Sequence, residues 1–135
     1  MASQDKYSDF DIDFGKNEFI NDISLKKGTN SIRQSITNII LTSPGEKPFN
    51  RDFGVGIHKM LFELWTPLQS AVVERNIKWE IRRLEPRADV YDVIIDADNI
   101  DSNNELTVEV RFYVMSGNQG EAIKDSLKLG LTKVR

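Results

Sequence analysis

The pattern with the clearest chemical content lies at the end of a predicted helix, where the sequence reads RRLEPR. Proline cannot continue a helix and pushes the preceding residue out of the α region, so Pro86 makes a rigid corner after Glu85. Arg87 follows the corner, and the planar guanidinium of arginine favours two parallel hydrogen bonds to a carboxylate. Glu85, Pro86 and Arg87 therefore form either an internal brace or a docking corner, and the sequence leaves both alternatives open.

Candidates for catalysis are few. His58 is the single histidine, which excludes a site with several histidine ligands, and no G-x-S-x-G nucleophile elbow accompanies it. We interpret it as a solvated or hydrogen-bonded side chain. The 21 acidic residues could supply a carboxylate pair for glycoside hydrolysis. However, only Glu63 and Glu85 have apolar surroundings that would raise a pKa. The sequence therefore favours a protein that is not an enzyme.

Two further patterns resemble ligand sites only superficially. The segment DADNIDSNNEL does not fit a calcium loop. It has Ile100 where the loop needs a ligand, Asp101 where it needs a glycine, and is followed by Thr107 where it needs a glutamate. We predict an acidic hairpin turn there. Gly54 and Gly56 lack the third glycine and the preceding strand of a phosphate-binding loop, so we attribute them to loop flexibility. No cofactor and no metal site are predicted.

Length and composition narrow the class of protein. A chain of 135 residues fits one domain. Its formal net charge of −3 argues against a nucleic-acid binder, whose affinity depends on basic side chains. The absence of cysteine excludes disulfides and thiolate chemistry. No apolar run approaches the roughly 20 residues of a membrane span, so membrane insertion is not predicted.

The elements that would position these residues begin with a polar, acidic segment. Residues 1–22 are predicted to be an extended arm with little regular structure, and residues 23–135 to form a single domain. A short amphipathic helix opens the domain, with Thr29 or Asn30 as its N-cap. Four isoleucines at helical spacing mark its buried face, at Ile32, Ile36, Ile39 and Ile40.

A loop and a second, longer helix follow. Turn residues predict a loop over residues 43–56 with two aromatic anchors, Phe49 and Phe53. A short helical turn is indicated by apolar residues at Ile57, Met60, Leu61 and Leu64. Proline at the first helical position lacks only an N–H that would be unpaired anyway, so Thr66 and Pro67 predict a helix start.

The long helix is predicted to run to about Leu84, and it has two apolar stripes rather than one. One stripe comprises Leu68, Val72 and Trp79, and the roughly opposite one Val73, Ile77, Ile81 and Leu84. We therefore expect the helix to be covered on both sides. The cover is either the sheet on one side with the first helix and its loop on the other, or a partner protein.

After the corner, the apolar period changes from helical to two, which predicts strands. The first hairpin has apolar residues at Tyr91, Val93, Ile95 and Ala97 and then at Leu106, Val108, Val110, Phe112 and Val114. A final edge strand contains Leu127, Leu129 and Leu131. The predicted fold class is α+β, with one short and one long helix on one face of a small antiparallel meander whose edges are exposed.

An ordered series of these motifs resembles a known family. TSPGEKPFNRDFGVGIHKMLFELWTP, then a helix with VERNI, then RRLEPR resemble the baseplate wedge, or sheath-initiator, family of contractile phage tails, the gene-twenty-five-like family. Relatives occur in contractile bacteriocins and type VI secretion baseplates. The resemblance covers roughly residues 20 to 115 and is loose in the acidic arm and after Met115.

The resemblance implies a structural role in a virion tail baseplate assembled in the host cytoplasm. It implies six-fold symmetric copies between wedge and sheath, with Glu85, Pro86 and Arg87 docking onto the helical core bundle of the wedge proteins. The sheet would be similar to the strand-exchange domain of sheath subunits, so sheath arms would add strands to it. Exposed edges agree with this, because strand addition supplies main-chain hydrogen bonds. The edge residues assigned to it are Leu127, Leu129 and Leu131.

The implied partners are the wedge proteins, the tail sheath protein and, further inward, tube or hub-proximal baseplate proteins. Neither nucleic acid nor membrane is among them. An equivalent baseplate component of a contractile bacteriocin or type VI secretion system is the alternative within this class. A peptidoglycan-cleaving, lysozyme-like enzyme is the alternative of another class, since some family members have that label, but no catalytic motif here supports it.

Overall fold

The computed structural model of the chain describes residues 8–10, 16–17, 22–23, 25–98, 104–115 and 122–132. The helices are α1 (Thr29–Leu41), α2 (Ile57–Met60) and α3 (Pro67–Leu84). Four short strands precede them: β1 (Ser8–Phe10), β2 (Lys16–Asn17), β3 (Asp22–Ile23) and β4 (Leu25–Lys27). Three longer strands follow them: β5 (Ala88–Asp96), β6 (Glu105–Met115) and β7 (Ala122–Thr132).

Short antiparallel ladders occur where the sequence predicts little regular structure. β1 pairs with β4, which places Asp9 opposite Lys26, and β2 pairs with β3. A ladder of two or three residue pairs is too short to show period-two alternation, so the sequence pattern does not reveal it. The pairing of β1 with β4 ties an early part of the chain to the residues that immediately precede α1.

The first helix buries the predicted face. Three of its isoleucines are fully buried and the fourth is 1% exposed, at Ile32, Ile36, Ile40 and Ile39 respectively. The predicted cap is wrong, because the N-cap position is Gly28, without a side-chain hydrogen bond. Gly28 has a φ of 60°, a value that glycine adopts at little cost, and this turns the chain from β4 directly into the helix.

The glycines of FGVG do not serve flexibility, contrary to the prediction. The backbone N–H groups of Val55 and Gly56 donate to the carbonyls of Ile39 and Thr42, at 3.0 and 2.9 Å. A Cβ on Gly54 would lie 2.1 Å from the carbonyl oxygen of Thr42, and its φ is +103°. The glycine therefore lets the loop lie directly against the carboxyl end of α1, where it satisfies carbonyls that the helix leaves unpaired.

Only one of the two predicted aromatic anchors is an anchor. Phe53 is half-buried against the core, and the Lys47 ammonium lies 4.0 Å from the centre of its ring. Phe49 is 108% exposed and has a φ of 65°. Phe49 itself has this left-handed backbone conformation, and its exposed side chain does not pack on the domain.

The long helix begins and ends where the sequence predicts. The Thr66 hydroxyl accepts a hydrogen bond from the Gln69 N–H at 3.2 Å, and Pro67 is the first helical residue. Leu84 is the last helical residue, two before Pro86. One of the two apolar stripes of α3 is buried, at Val73, Ile77 and Ile81.

The other stripe is not covered by the described part of the chain, so the expected internal cover on both sides is wrong. Leu68, Val72 and Trp79 are 77%, 42% and 67% exposed. The sheet and α1 share one hydrophobic core with the buried stripe, so both lie on the same side of α3. Nothing in the described residues is left to cover the opposite side.

The three long strands form an antiparallel sheet in the order β5-β6-β7, and the helices lie on one face of it. This confirms the α+β prediction. The predicted core face of β6 is buried throughout, at Leu106, Val108, Val110, Phe112 and Val114. No helix in the described residues is long and apolar enough to cross a membrane.

A bulge in β5 corrects the predicted face of that strand. The register shifts between Val90 and Asp92, so the two sides of the bulge do not share one alternation. Val93 is buried as predicted, but Tyr91 is 44% exposed. On the outer face of the sheet, the Tyr91 ring lies 4.6 Å from that of Tyr113.

Candidate interaction sites at the helix end and the sheet edge

The carboxyl end of α3 contains a nearly buried ion pair. Glu85 is 2% exposed and accepts two hydrogen bonds from the Arg87 guanidinium, from Nε to Oε1 at 2.6 Å and from Nη2 to Oε2 at 2.5 Å. The Glu85 N–H donates to the Ile81 carbonyl at 2.7 Å. Pro86 forces the turn that brings the two side chains together, so the fork expected from their types is formed within the chain itself.

Two serines of α1 complete this arrangement. Arg87 Nη1 lies 3.4 Å from the hydroxyl of Ser31, which is fully buried, and Ser35 is also hydrogen-bonded to Glu85. The cluster therefore braces the end of α3 and the start of β5 against the start of α1. The sequence analysis missed both serines. Their signal was a pair of hydroxyls four residues apart, next to the buried isoleucine face of α1.

The brace keeps Glu85 ionised. Burial alone raises its pKa, but the hydrogen bonds from Arg87 and Ser35 and the charge of Arg87 outweigh burial, so the pKa lies below the ordinary value of 4.5. The expectation that apolar surroundings raise this pKa is wrong, because the partners that reverse it come from around the corner and from α1. A carboxylate of lowered pKa is unsuited to act as a general acid.

Part of the corner faces solvent. Pro86 is exposed and the Arg87 side chain is 25% exposed, whereas Glu85 is inaccessible. Of the two open alternatives, the internal brace is observed. A docking partner would contact the ring of Pro86 and the outer edge of the Arg87 guanidinium. The hydrogen bonds of the brace hold this guanidinium in one orientation.

The second candidate site is the free edge of β7. Leu131 is buried and Leu127 and Leu129 are half-buried against the core, while among the described residues β7 pairs with β6 alone. The ladder with β6 is regular over all 11 residues of the strand. The three leucines thus secure the strand to the core, and no strand in the described part of the chain pairs with its other side.

An ion pair fastens this edge to α1. Arg33 donates from Nε to Oδ2 of Asp125 at 2.7 Å and from Nη2 to Oδ1. The Asp125 side chain is 11% exposed, and the Arg33 hydrogen bond outweighs burial in lowering the pKa of Asp125 below 3.8. The sequence analysis missed this pair, because 92 residues separate its members and neither lies in a motif.

The opposite edge of the sheet is less regular. β5 carries the bulge after Val90, and Asp89 and Asp92 place charges along the strand. Arg82 of α3 lies 3.8 Å from Asp89. Both edges carry charged side chains, but only β5 has a bulge, a device that discourages strand addition, so the two edges of the sheet differ in how readily they accept a further strand.

The remaining candidates do not form a chemical site. His58 is exposed at the end of α2, and Glu63 accepts a hydrogen bond from the Gln69 amide. The acidic turn lies partly outside the described residues. Among the residues that are described, no three His, Cys, Asp or Glu side chains come together in a way that could hold a metal ion.

Comparisons with known proteins match most of the chain. The family model described as "Baseplate wedge protein gp25" matches residues 26–119. The curated "Baseplate wedge protein gp25" of Enterobacteria phage T4 is 38% identical over 116 residues, which cover 85% of this chain and 86% of that protein.

Solved structures share the fold. The anti-feeding prophage baseplate, determined by cryo-electron microscopy with six-fold symmetrisation, contains a similar chain with 27% identity and a TM-score of 0.70, over 84% of this chain and 90% of that one. The crystal structure of a putative tail lysozyme from Geobacter sulfurreducens has a TM-score of 0.68 over 84% of this chain and 97% of that one. At 23% identity, the second likeness concerns the fold alone.

Proposed function

Because the chain belongs to the baseplate wedge protein gp25 family, we propose that it is a structural component of a contractile-tail baseplate and joins the wedge to the tail sheath. The observation that carries the proposal is the long, regular and one-sided edge of β7. An extended arm of a sheath subunit would add to this edge as a fourth strand, so the chain would template the first sheath ring. The equivalent place in a contractile bacteriocin or type VI secretion baseplate is the alternative within this class.

Strand addition favours β7 over β5 for physical reasons. An incoming strand gains main-chain hydrogen bonds only along a regular edge, and β7 offers 11 residues without a bulge. Its anchoring to α1 through Asp125 and Arg33 keeps the edge in place before the new strand arrives. A rigid, preformed template lowers the entropy cost of ordering the added segment.

Cysteine cross-linking in assembled particles tests the choice of edge. The chain has no cysteine, so a single Lys128→Cys on β7 can be paired with cysteines placed along the terminal arms of the sheath protein. We expect disulfides with a two-residue periodicity along the sheath arm. Ile94→Cys, an exposed position on β5, is the matched control and should remain unlinked. Cross-links from Ile94 alone, or equally from both, would contradict the proposal.

The corner at the end of α3 is proposed as the contact with the helical core bundle of the wedge proteins. Glu85 and the α1 serines hold the Arg87 guanidinium in one orientation, and Pro86 fixes the backbone beside it. A partner helix would therefore meet an exposed proline ring and a preorganised arginine rather than flexible side chains. Groups whose orientation is fixed in advance lose little entropy on binding.

A double variant separates docking from folding. Glu85→Gln combined with Arg87→Met removes both charges together, so neither is left buried without its partner. Co-expressed with the wedge proteins, this variant should fold but be absent from wedge complexes on size exclusion and in electron micrographs. Arg111→Met, at an arginine on the face of the sheet opposite the helices, is the control. Normal incorporation of the double variant would refute the docking role.

We propose that this role is structural rather than enzymatic. A glycosidase needs one carboxylic acid of raised pKa near a second carboxylate, whereas the buried acid of the corner has a lowered pKa. Purified protein incubated with peptidoglycan should release no soluble fragments. Release of fragments that a single carboxylate substitution abolishes, without a change in assembly, would instead favour the enzyme.

A further inference from the structure

The outward face of α3 carries an apolar stripe that no described residue covers. Leu68 is 77% exposed, Val72 42% and Trp79 67%. A single exposed apolar residue is ordinary on a protein surface, but three aligned along a helix that already buries its opposite face are not required for folding. The face therefore calls for an explanation outside the core.

Two arginines continue the same line. Leu68, Val72, Arg75, Trp79 and Arg82, which we call the outer seam, follow one another at intervals of four, three, four and three residues. These are the intervals of the a and d positions of a heptad, which keep one side of a helix against a second helix. At 3.6 residues per turn, the seam runs along α3 for about four turns. Its geometry fits a helix better than a strand or a loop.

The charges of the outer seam indicate which sign of charge its partner must have. Arg75 is exposed and makes no ion pair with residues 28–98, 104–114 or 122–132. Arg82 has only the 3.8 Å contact with Asp89, in which both side chains are more than half exposed. The acids of α3 are already paired within the helix, as Glu74 with Lys78 and Glu80 with Arg83. The outer seam therefore presents positive charge within an apolar line.

A second copy of this chain would fit the outer seam poorly. In a parallel pair in register, Arg75 would face Arg75 and Arg82 would face Arg82. In an antiparallel pair centred on the seam, Arg75 would again face its own copy. Like charges facing each other in an interface cost several kcal/mol of binding free energy. The outer seam therefore disfavours pairing with a second copy of α3 and favours an acidic helix.

We propose that the outer seam binds an acidic amphipathic α-helix of another protein in the assembly. Apolar residues of that helix would pack on Leu68, Val72 and Trp79, and two acids seven residues apart would lie opposite Arg75 and Arg82. The contact lies on the side of α3 away from the sheet, so it is separate from the β7 edge, and it ends at Arg82, three residues before the corner. It does not rest on the roles proposed for either.

Photo-cross-linking identifies the occupant in the assembly itself. p-Benzoylphenylalanine in place of Trp79, in cells that produce the complete tail, should capture one peptide that mass spectrometry identifies. The proposal requires this peptide to come from another protein and to form a helix with apolar heptad positions and acids seven residues apart. Capture of a second copy, of residues 1–22 of this chain, of a peptide without that pattern, or of nothing would overturn it.

Charge reversal then tests the electrostatic part. Arg75→Glu with Arg82→Glu should lower recovery of the captured complex at least about tenfold, because each like-charge contact costs more than one factor of ten in affinity. Replacing the two acids of the captured helix by lysine should restore it. Arg51→Glu with Lys59→Glu, both exposed and outside the outer seam, changes the net charge equally and should have no effect. Loss in this control, or no rescue by the lysines, would refute the proposal.

Discussion

Glu85 is a carboxylate that the fold keeps charged although it is nearly fully buried. Its charge is balanced by the Arg87 guanidinium, and removal of that partner leaves the Glu85 carboxylate buried without a counter-charge. The corner therefore contributes to folding as well as to any docking, and single substitutions there change both properties.

Arg87→Ala should lower the free energy of unfolding by about 3 kcal/mol, because breaking a buried ion pair strands the remaining charge. Glu85→Gln with Arg87→Met should cost less than the single change, since neither charge is then left alone. Urea unfolding of both variants and of wild type at pH 7 measures this directly. A double variant less stable than Arg87→Ala would show that the charges stabilise the fold in their own right.

The lowered pKa of Glu85 predicts a loss of stability in acid. A folded-state pKa below the ordinary value of 4.5 means that the unfolded chain takes up the proton more readily. The stabilisation is therefore complete above that value and is lost as the pH falls below it, through the folded-state pKa. Unfolding free energies measured from pH 7 to pH 3 should decline over this range. Glu85→Gln should show a smaller decline, and an equal decline would argue against the brace.

Residue types and spacing located this corner, but they did not identify its partners. Glu85 and Arg87 are two residues apart, so their pairing follows from a local turn. Ser31 lies more than fifty residues away, and the Arg33–Asp125 pair spans 92 residues. Such contacts depend on how helices and strands pack, and nothing in the local pattern of a single sequence specifies them.

At the level of elements, the loop before α2 acts as a cap for α1 rather than as a free connection. Gly54→Ala should destabilise the protein by at least about 3 kcal/mol, because the new Cβ would meet the Thr42 carbonyl at 2.1 Å and the φ of +103° is strained for alanine. Gly45 has a φ of +90° but open space around it. Gly45→Ala should therefore cost only about 1 to 2 kcal/mol. Thermal unfolding compares the two, and equal losses would show that conformation alone matters.

The Arg33–Asp125 pair should control the mobility of one edge of the sheet. Asp125→Ala removes the link between β7 and α1, and hydrogen exchange should accelerate over residues 122–126 more than over residues 129–132, where Leu131 stays buried. The loss in global stability should be about 1 kcal/mol or less, since the Arg33 side chain is 44% exposed. Lys78→Ala, which breaks the Glu74–Lys78 pair within α3, is the control and should leave residues 122–126 unchanged.

The ends of α3 and the buried faces of α1 and β6 were predictable, whereas the N-cap of α1, the face of β5 and the cover of the second α3 stripe were not. α3 begins at Pro67 and ends before Pro86 because a cap and two prolines define both ends within a few residues. The bulge in β5 turned Tyr91 outward, although the apolar alternation of the strand placed it inward. The second stripe of α3 was correctly identified as apolar, but its cover depended on where the sheet and α1 lie.

For the whole molecule, packing the helices on one face of a three-stranded sheet leaves three exposed surfaces. They are the β7 edge, the corner at the end of α3 and the outer seam. The three contacts that we propose would suit a small chain placed between several proteins. Variants of one surface should then leave the other two intact.

We also expect the outer seam to determine whether the isolated protein associates with itself. Arg75 and Arg82 occupy heptad positions that would otherwise complete an apolar helix face with Leu68, Val72 and Trp79. Arg75→Leu with Arg82→Leu should therefore convert a monomer into a concentration-dependent dimer in sedimentation equilibrium, because nothing then repels a second copy. Arg51→Leu with Lys59→Leu, which removes the same charge elsewhere on the surface, should stay monomeric. A wild-type protein that already dimerises through Trp79 would mean that the arginines do not repel a second copy, and that the acidic helix is not the partner.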